Sequence, residues 1–499
     1  MEIFAVVMQN LFSPVCLVFM LLGCIMGIIF GALPGLSGTV GVTLLLPMTY
    51  RMNSELGIAL LISIWVGGVS GGFISATLLG IPGTASSIAT CFDAYPLSKQ
   101  GKAKKALTIG VVASFIGTFL SCIIAMVLCQ YVAKIAMRLG PWEYFSLCLC
   151  AIILVVSLSK GDVIRGLTGA AIGLLLACVG AAPVNAVARF TFGSYNLYGG
   201  IDSTSVMLGI FAIYLVAKNF ASGETSLPQV SGKSTGGEGL TLKEFISNIG
   251  NMIRSFLIGL WIGFLPGMGA GLSNMVAYGQ AKSASKTPEK FGNGAIEGVF
   301  ATETANNASV GGALIPMVAL GIPGDATTAV LLGALTIHGL EPGPLLFQNN
   351  PVYVYVLFGA AILAALYVFA LQIGGIRLFP KILQIPYHYL YPAIIVLCFI
   401  GAYSSSNTIF TIGMMLAMGA LSVAMAWANI PATPFMMAFI LGEMLEKYLR
   451  RGISYSANGG MMFFTRPVSL ILLVVALLTL VWPMIRDARK KKAAAEGKE

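Results

Sequence analysis

Long apolar runs interrupted by Pro-Gly pairs organise the chain. Ala106–Cys129 and Pro467–Ile485 each exceed the roughly 18 apolar residues that suggest a membrane span. In chain order the pattern predicts a helix over Leu11–Leu33 that stops at Pro34-Gly35-Leu36-Ser37-Gly38-Thr39, then an apolar piece to Pro47. A glycine-rich helix over Leu56–Leu79 breaks at Gly80-Ile81-Pro82-Gly83, and a short helix over Thr84–Phe92 follows. Further spans fall at Ala106–Gln130, Pro141–Leu158, Val163–Ala182 and Ser203–Lys218. After a polar stretch, Phe245–Leu265 leads into Pro266-Gly267-Met268-Gly269-Ala270-Gly271. Ala301–His338 breaks at Gly321-Ile322-Pro323-Gly324, and later spans fall at Pro351–Gly374, Leu390–Tyr403, Thr408–Ala428, Pro434–Glu446 and Pro467–Ile485.

This pattern reads as an all-α polytopic membrane protein with about ten to twelve spans or broken spans. The runs are continuous and lack the period-two alternation of a transmembrane barrel. Composition agrees: 57% of residues are hydrophobic and 10% charged, where a soluble protein would be about a quarter charged. Mean hydropathy is +0.89. The net charge of +10 does not indicate nucleic acid, because the cations sit in short loops and at the tail, as expected on the inner side of a membrane. Nine cysteines lie almost wholly in apolar runs, without CxxC or metal spacing, and read as small packing residues. The N-terminus lacks the basic region of a signal peptide, so Met1–Leu33 is expected to be retained.

Two segments recur in the same order. GIIFGALPG at Gly27–Gly35 matches GLWIGFLPG at Gly259–Gly267, and VSGGFISATLLGIPGTASS at Val69–Ser87 matches VGGALIPMVALGIPGDATT at Val310–Thr328. The expected organisation is a first membrane repeat over residues 1–218, a flexible cytoplasmic linker over 219–240, a second repeat over 241–485, and a disordered basic cytoplasmic tail over 486–499. Gly232-Lys233-Ser234 in the linker is not a P-loop, because Leu227 stands where the motif needs glycine. Asp93–Lys105 carries four lysines and reads as a solvated cytoplasmic loop; Lys282, Lys286 and Lys290 mark another. Gly339–Pro351, after the second break, has no lysine or arginine. Equivalent loops therefore carry opposite charge bias, which predicts inverted repeats around a central site.

Unwound backbone at membrane depth is tolerated only where it is buried in protein or lines a wet cavity. A helix start just after Pro-Gly offers free N–H groups to an anion, while unwound carbonyls and helix C-termini suit Na⁺. The candidate substrate site therefore comprises Pro34, Gly35, Ser37, Gly38 and Thr39; Pro82, Gly83, Thr84, Ser86 and Ser87; Pro266, Gly267 and Gly269; and Pro323, Gly324, Thr327 and Thr328, with Asn306 and Asn307. Glu303, Asn306 and Asp325 are oxygen donors for a coupling cation. The Thr84–Ser87 end is expected to contact substrate and the Asp325 region to favour the ion. Plainer readings stand beside these: the breaks as kinks, Asp325 as an N-cap, and Glu303 with its asparagines as an inter-helix hydrogen-bonding patch. His338 and His388 are too few and too far apart for a metal site. No HExxH, GxGD or GxSxG occurs, so no catalytic residue and no cofactor is expected. A channel is the second reading and a membrane-embedded enzyme the third.

GALPGLSG at Gly31–Gly38, GIPGTASSIATCFDAYPLSKQGKAKKAL at Gly80–Leu107, GFLPGMGAG at Gly263–Gly271 and ETANNASVGGALIPMVALGIPGD at Glu303–Asp325 resemble the large membrane subunit of tripartite tricarboxylate transporters. The resemblance implies a carrier in the bacterial inner membrane. It would work with a small four-helix membrane subunit and a periplasmic solute-binding protein. It would take up citrate or another carboxylate with a Na⁺ or H⁺ gradient. Pro82-Gly83-Thr84-Ala85 and Asp93-Ala94-Tyr95-Pro96 depart mildly from the family pattern, which often reads Pro-Gly-Thr-Pro and Asp-Gly-Tyr-Pro there.

Overall fold

The computed structural model describes residues 2–34, 36–158, 163–222, 238–384, 387–455 and 458–496. Gly35, Gly232-Lys233-Ser234 and most of the predicted linker lie outside the described residues. The first half contains α1 (Glu2–Leu11), α2 (Pro14–Ala32), α3 (Gly38–Leu45), α4 (Ser54–Leu79), α5 (Thr90–Leu97) and α6 (Ala103–Ala136). Then come α7 (Pro141–Leu158), α8 (Val163–Ala177), α9 (Ser203–Met207) and α10 (Tyr214–Ser222). The second half contains α11 (Leu242–Phe264), α12 (Gly269–Ala284), α13 (Ile296–Leu320), α14 (Ala326–Ile337), α15 (Pro344–Asn349) and α16 (Pro351–Gly375). It ends with α17 (Phe379–Ile382), α18 (Tyr387–Ser406), α19 (Ile409–Trp427), α20 (Ala432–Ser454), α21 (Met462–Thr465) and α22 (Pro467–Glu496). Among the described residues, eight helices are long and apolar enough to cross a membrane, and four shorter apolar helices join them. The fold is the expected all-α membrane type. α13 is not among the eight, because Glu303, Asn306 and Asn307 dilute its apolar run.

Local chemistry sets the element ends. Ser13 caps α2 ahead of Pro14, and Thr241 with Glu244 forms a capping box on α11. α4 and α13 both end on a left-handed glycine, Gly80 at φ 69° and Gly321 at φ 71°, a conformation that only glycine adopts cheaply.

The repeat is visible in packing. A Cβ at Gly27 would lie 2.3 Å from the Ile64 carbonyl oxygen, and one at Gly259 would lie 2.2 Å from that of Ala305. Gly31 meets Gly68 O at 2.2 Å on the same measure, and Gly263 meets Ser309 O at 2.4 Å. α2 therefore packs backbone to backbone on α4 as α11 does on α13. Contacts cross between halves in the same paired way. Thr39 of α3 reaches Thr327 of α14, and Ala89, just before α5, reaches Asn274 of α12.

Helix direction follows from these contacts. His338, at the end of α14, meets Gly57 at the start of α4. Asp93 of α5 meets Gly298 at the start of α13. Each broken helix thus ends where the other begins, so the two halves are inverted.

Several predicted elements differ. Thr84–Phe92 is not one helix: a single tight turn at Ala85–Ser87 precedes α5, whose Pro96 lies inside the helix. Asp93–Lys105 exposes Lys99, Lys102 and Lys104 as expected but is largely helical rather than a loop, and Asp93 is fully buried. Val163–Ala182 ends as helix at Ala177, because the chain turns into a two-residue strand at Gly180–Ala181 paired with Ala188–Arg189. The linker is helical through Ser222. The basic tail, expected to be disordered, continues α22 to Glu496; alanines and lysines there are good helix formers.

Two outcomes follow. Gly31→Ala and Gly259→Ala should each cost about 1–3 kcal/mol through overpacking, read as a lower unfolding midpoint in detergent. Gly279→Ala, with open space at its Cβ, should not. Single cysteines at Lys102, Lys290 and Glu341 in a cysteine-free background should label with the first two on one membrane face and the third on the other. Labelling of all three from the same face would refute the inversion.

Candidate functional site

The Pro-Gly segments converge at the centre of the two halves. After Leu33, α2 gives way to extended backbone, and Ser37 caps α3 by accepting from Val40 N. Gly83 folds back onto α4 so that its N–H donates to Gly72 O at 3.3 Å. A Cβ on Gly83 would lie 2.2 Å from Gly31 O. In the second half, Gly267 at φ 77° donates its N–H to Gly324 O at 2.7 Å, which pins hairpin to break. Thr39 Oγ1 and Thr327 Oγ1 are 2.6 Å apart, and Gly271 lies against Ala85. Of the predicted substrate residues, those of the two hairpins and two breaks are therefore neighbours, apart from the undescribed Gly35. Pro34, Pro82 and Pro266 are half-buried at the edges, and Pro323 is buried.

The two breaks differ in what they present. At the second, Asp325 caps α14: Oδ1 accepts from Thr328 N at 2.7 Å and from Thr328 Oγ1 at 2.8 Å, and Thr328 Oγ1 accepts from Asp325 N. The carboxylate answers its own helix terminus, as an N-cap does. At the first, Thr84 caps only the tight turn, with its Oγ1 2.9 Å from Ser86 Oγ and its N–H donating to Ser87 Oγ. A full half-helix does not begin there, so the dipole expected at Thr84 is reduced to the N–H groups of one turn.

Glu303 gathers a second set of polar groups. It is fully buried on α13. Thr90 Oγ1 donates to Oε1 at 2.5 Å, Ser114 Oγ to Oε2 at 3.3 Å, and Asn306 Nδ2 and Asn307 Nδ2 to Oε2 at 3.4 Å each. Asn274 Nδ2 supports Thr90, and Thr118 Oγ1 donates to Asn307 Oδ1. Asn306 Oδ1 is buried without a hydrogen-bond partner. No described lysine, arginine or histidine pairs with Glu303. A cavity of about 10 Å³, room for one water, lies beside this network, lined in part by Ser70, Ser114, Thr118 and Gln372.

The structure thus brings Asn306 and Asn307 into the Glu303 network, while the Asp325 carboxylate bonds the start of its own helix. No described group of three or more His, Cys, Asp or Glu side chains could hold a metal. Sequence reading missed Thr90, Ser114, Thr118 and Asn274. Their one signal is polar spacing inside apolar runs: Ser114 and Thr118 stand four apart on α6 and so share a face.

Removing the Glu303 carboxylate without a polar replacement should strand three or more buried donors. Glu303→Leu should therefore lower stability by about 2–4 kcal/mol, measured as a denaturation midpoint, and Glu303→Gln by clearly less.

A model of the "Tripartite tricarboxylate transporter TctA family" matches residues 17–437. The chain is 32% identical over 484 residues to an "Uncharacterized 52.8 kDa protein in TAR-I ttuC' 3'region" of Agrobacterium vitis, covering 97% of this chain and 96% of that protein. It is also 33% identical over 234 residues to an "Uncharacterized protein in TAR-II ttuC' 3'region" of the same organism, covering 47% of this chain and 97% of that protein. No solved structure matches.

Proposed function

The chain belongs to the tripartite tricarboxylate transporter TctA family, and on that premise we propose that it is a secondary carrier subunit importing a carboxylate with a cation gradient. The substrate, citrate or a related organic acid, is held at the Pro-Gly segments by backbone N–H groups and the hydroxyls of Ser37, Thr39, Thr84, Ser86 and Thr327. The coupling ion, Na⁺ or H⁺, is held at Glu303. A periplasmic solute-binding protein delivers the substrate, a small four-helix membrane subunit completes the assembly, and the site of action is the bacterial inner membrane. The lysine-rich face is then cytoplasmic and the Gly339–Pro351 face periplasmic.

One observation carries this reading: Glu303 is a wholly buried carboxylate surrounded by hydroxyl and amide donors without a described cation. An ionisable group at membrane depth is costly and is by default a functional candidate, and a buried charge needs a proton or a counter-ion. The Glu303 oxygens, the unpartnered Asn306 Oδ1 and nearby hydroxyls are the hard-oxygen type that suits Na⁺. The inverted halves favour a carrier over a channel.

Purified protein with its partner subunits in proteoliposomes should show saturable uptake that accumulates substrate against its gradient when the ion gradient is imposed. Non-saturating flux independent of that gradient would favour a channel. Glu303→Gln should weaken ion dependence about tenfold or more, within the usual range for one coupling interaction. Asp325→Asn should keep it, because asparagine caps nearly as well. Thr84→Ala should raise the substrate concentration for half-maximal uptake without altering ion dependence. Unchanged ion dependence in Glu303→Gln at matched expression would remove the coupling assignment.

A further inference from the structure

Two contacts between the halves lie at opposite ends of the molecule and fall on glycines that are equivalent by the repeat. On the lysine-rich face, Asp93 of α5 reaches the loop before α13. Its Oδ1 accepts from Gly292 N at 2.8 Å, Gly294 N at 2.9 Å and Ala295 N at 2.9 Å. Gly292 and Gly294 stand at φ 91° and 101°, a backbone that glycine allows and that turns the three N–H groups inward. Asp93 also lies against Gly298, where a Cβ would fall 2.1 Å from Oδ2. Gln100 Nε2 donates to Asn293 O at 2.9 Å, and Phe92 stacks edge-on to Tyr278 at 5.3 Å.

On the opposite face, His338 at the end of α14 reaches the start of α4. Its Nε2 is 3.0 Å from Thr49 Oγ1. Thr49 gives its own proton to Leu46 O at 2.7 Å, so Nε2 is the donor. A Cβ at Gly57 would lie 2.9 Å from that nitrogen. Gly57 and Gly298 occupy matching positions near the starts of α4 and α13. Each receives a side chain from the segment that follows the other half's break.

We propose that Asp93 and His338 are the two gate latches of the carrier, one per membrane face, each tying the segment after one break to the long helix of the other half. With both engaged, the central Pro-Gly segments are closed from either side. Opening one face means releasing its latch while the other holds, which is what alternating access requires. The latches are unequal. Three bonds to a carboxylate outweigh one bond to an imidazole. The His338 face therefore opens first from the closed state, which suits loading from that side.

This proposal rests on the carrier reading but is tested by distance rather than flux, so either can fail alone. Spin labels at Lys102 and Lys290 report the Asp93 face, and labels at Met48 and Glu341 report the His338 face; all four side chains are exposed. The measurement uses the full chain in nanodiscs, in a cysteine-free background. Asp93→Asn, which keeps the side-chain size, should raise the widened population of the Lys102–Lys290 pair about tenfold, as loss of charged hydrogen bonds implies, and leave Met48–Glu341 unchanged. His338→Ala should do the reverse, and so should Gly57→Ala, which displaces His338 without removing it. Unaltered distances in all three variants would overturn the proposal. Widening of both pairs in any one variant would also overturn it, since that marks general loosening. If Asp93→Asn does not yield monodisperse protein, Gln100→Ala tests the same face with the same two outcomes.

Discussion

Backbone-to-backbone approach at glycine is the constraint on which this structure depends. At Gly27 and Gly31 against α4, and at Gly259 and Gly263 against α13, any side chain would collide with a carbonyl oxygen of the partner helix. In a bilayer, helices gain little from hydrophobic burial against one another, since lipid is equally apolar, and close packing of small residues takes its place. The approach brings the ends of α2 and α11 against the breaks after α4 and α13. Gly83 can then lie on Gly31 O, and Gly324 beside Gly263 O. Unwound backbone in the middle of the membrane is tolerated here because four such segments cover one another.

Much of this was legible because it is written in residue types with narrow conformational uses. Pro-Gly pairs mark breaks wherever they occur, and a duplicated order of them implies two related halves. Lysine distribution gave the inversion, and the helix ends agree with it. What was not legible depends on registry between distant helices. Ser114 and Thr118 look like ordinary small residues of an apolar helix until α6 is laid against Glu303 and Asn307. Asp93 beside four lysines reads as solvent-exposed, yet a loop from the other half buries it. The Thr84 segment misled for a local reason. Ser86 and Ser87 favour caps and turns over helix interiors, and Ser87 and Thr84 hydrogen-bond each other, which competes with helix propagation.

The halves share a backbone but divide the chemistry. Glu303, Asn306 and Asn307 on α13 correspond, by the same repeat that pairs Ile64 with Ala305, to Ile62, Trp65 and Val66 on α4, all buried and apolar or nearly so. One long helix carries a polar centre and its counterpart carries a packed core. Beyond Asn306 and Asn307 on its own helix, the partners of Glu303 come from two other helices, Thr90 on α5 and Ser114 on α6, both of the first half. The polar centre therefore belongs to neither half alone. On the proposed carrier reading, relative movement of the halves would change how well the carboxylate is satisfied, and conversely the charge state of Glu303 would bias the position of the halves. That is the thermodynamic content of coupling: a ligand shifts an equilibrium only by its differential interaction with the two states.

The distribution of lysine and arginine bears on the proposed coupling ion. No lysine or arginine occurs before Arg51, between Arg51 and Lys99, or between Lys290 and Arg377. A carboxylate arriving at the breaks would meet only neutral donors while Asp325 and Glu303 contribute negative potential. In a medium of low dielectric, like charges repel across distances at which water would screen them. Asp325 is compensated locally by the start of α14, because its charge answers the N–H groups it caps. Glu303 lies within a continuous helix and has no such compensation. On the proposed carrier reading, neutralising it with a proton or Na⁺ would lower the cost of bringing in an anion and also satisfy a buried charge, so both ligands would favour the same occupied state. Linkage would then, on that reading, make each raise the affinity of the other by the same factor, so cotransport would need no fixed positive charge beside the substrate.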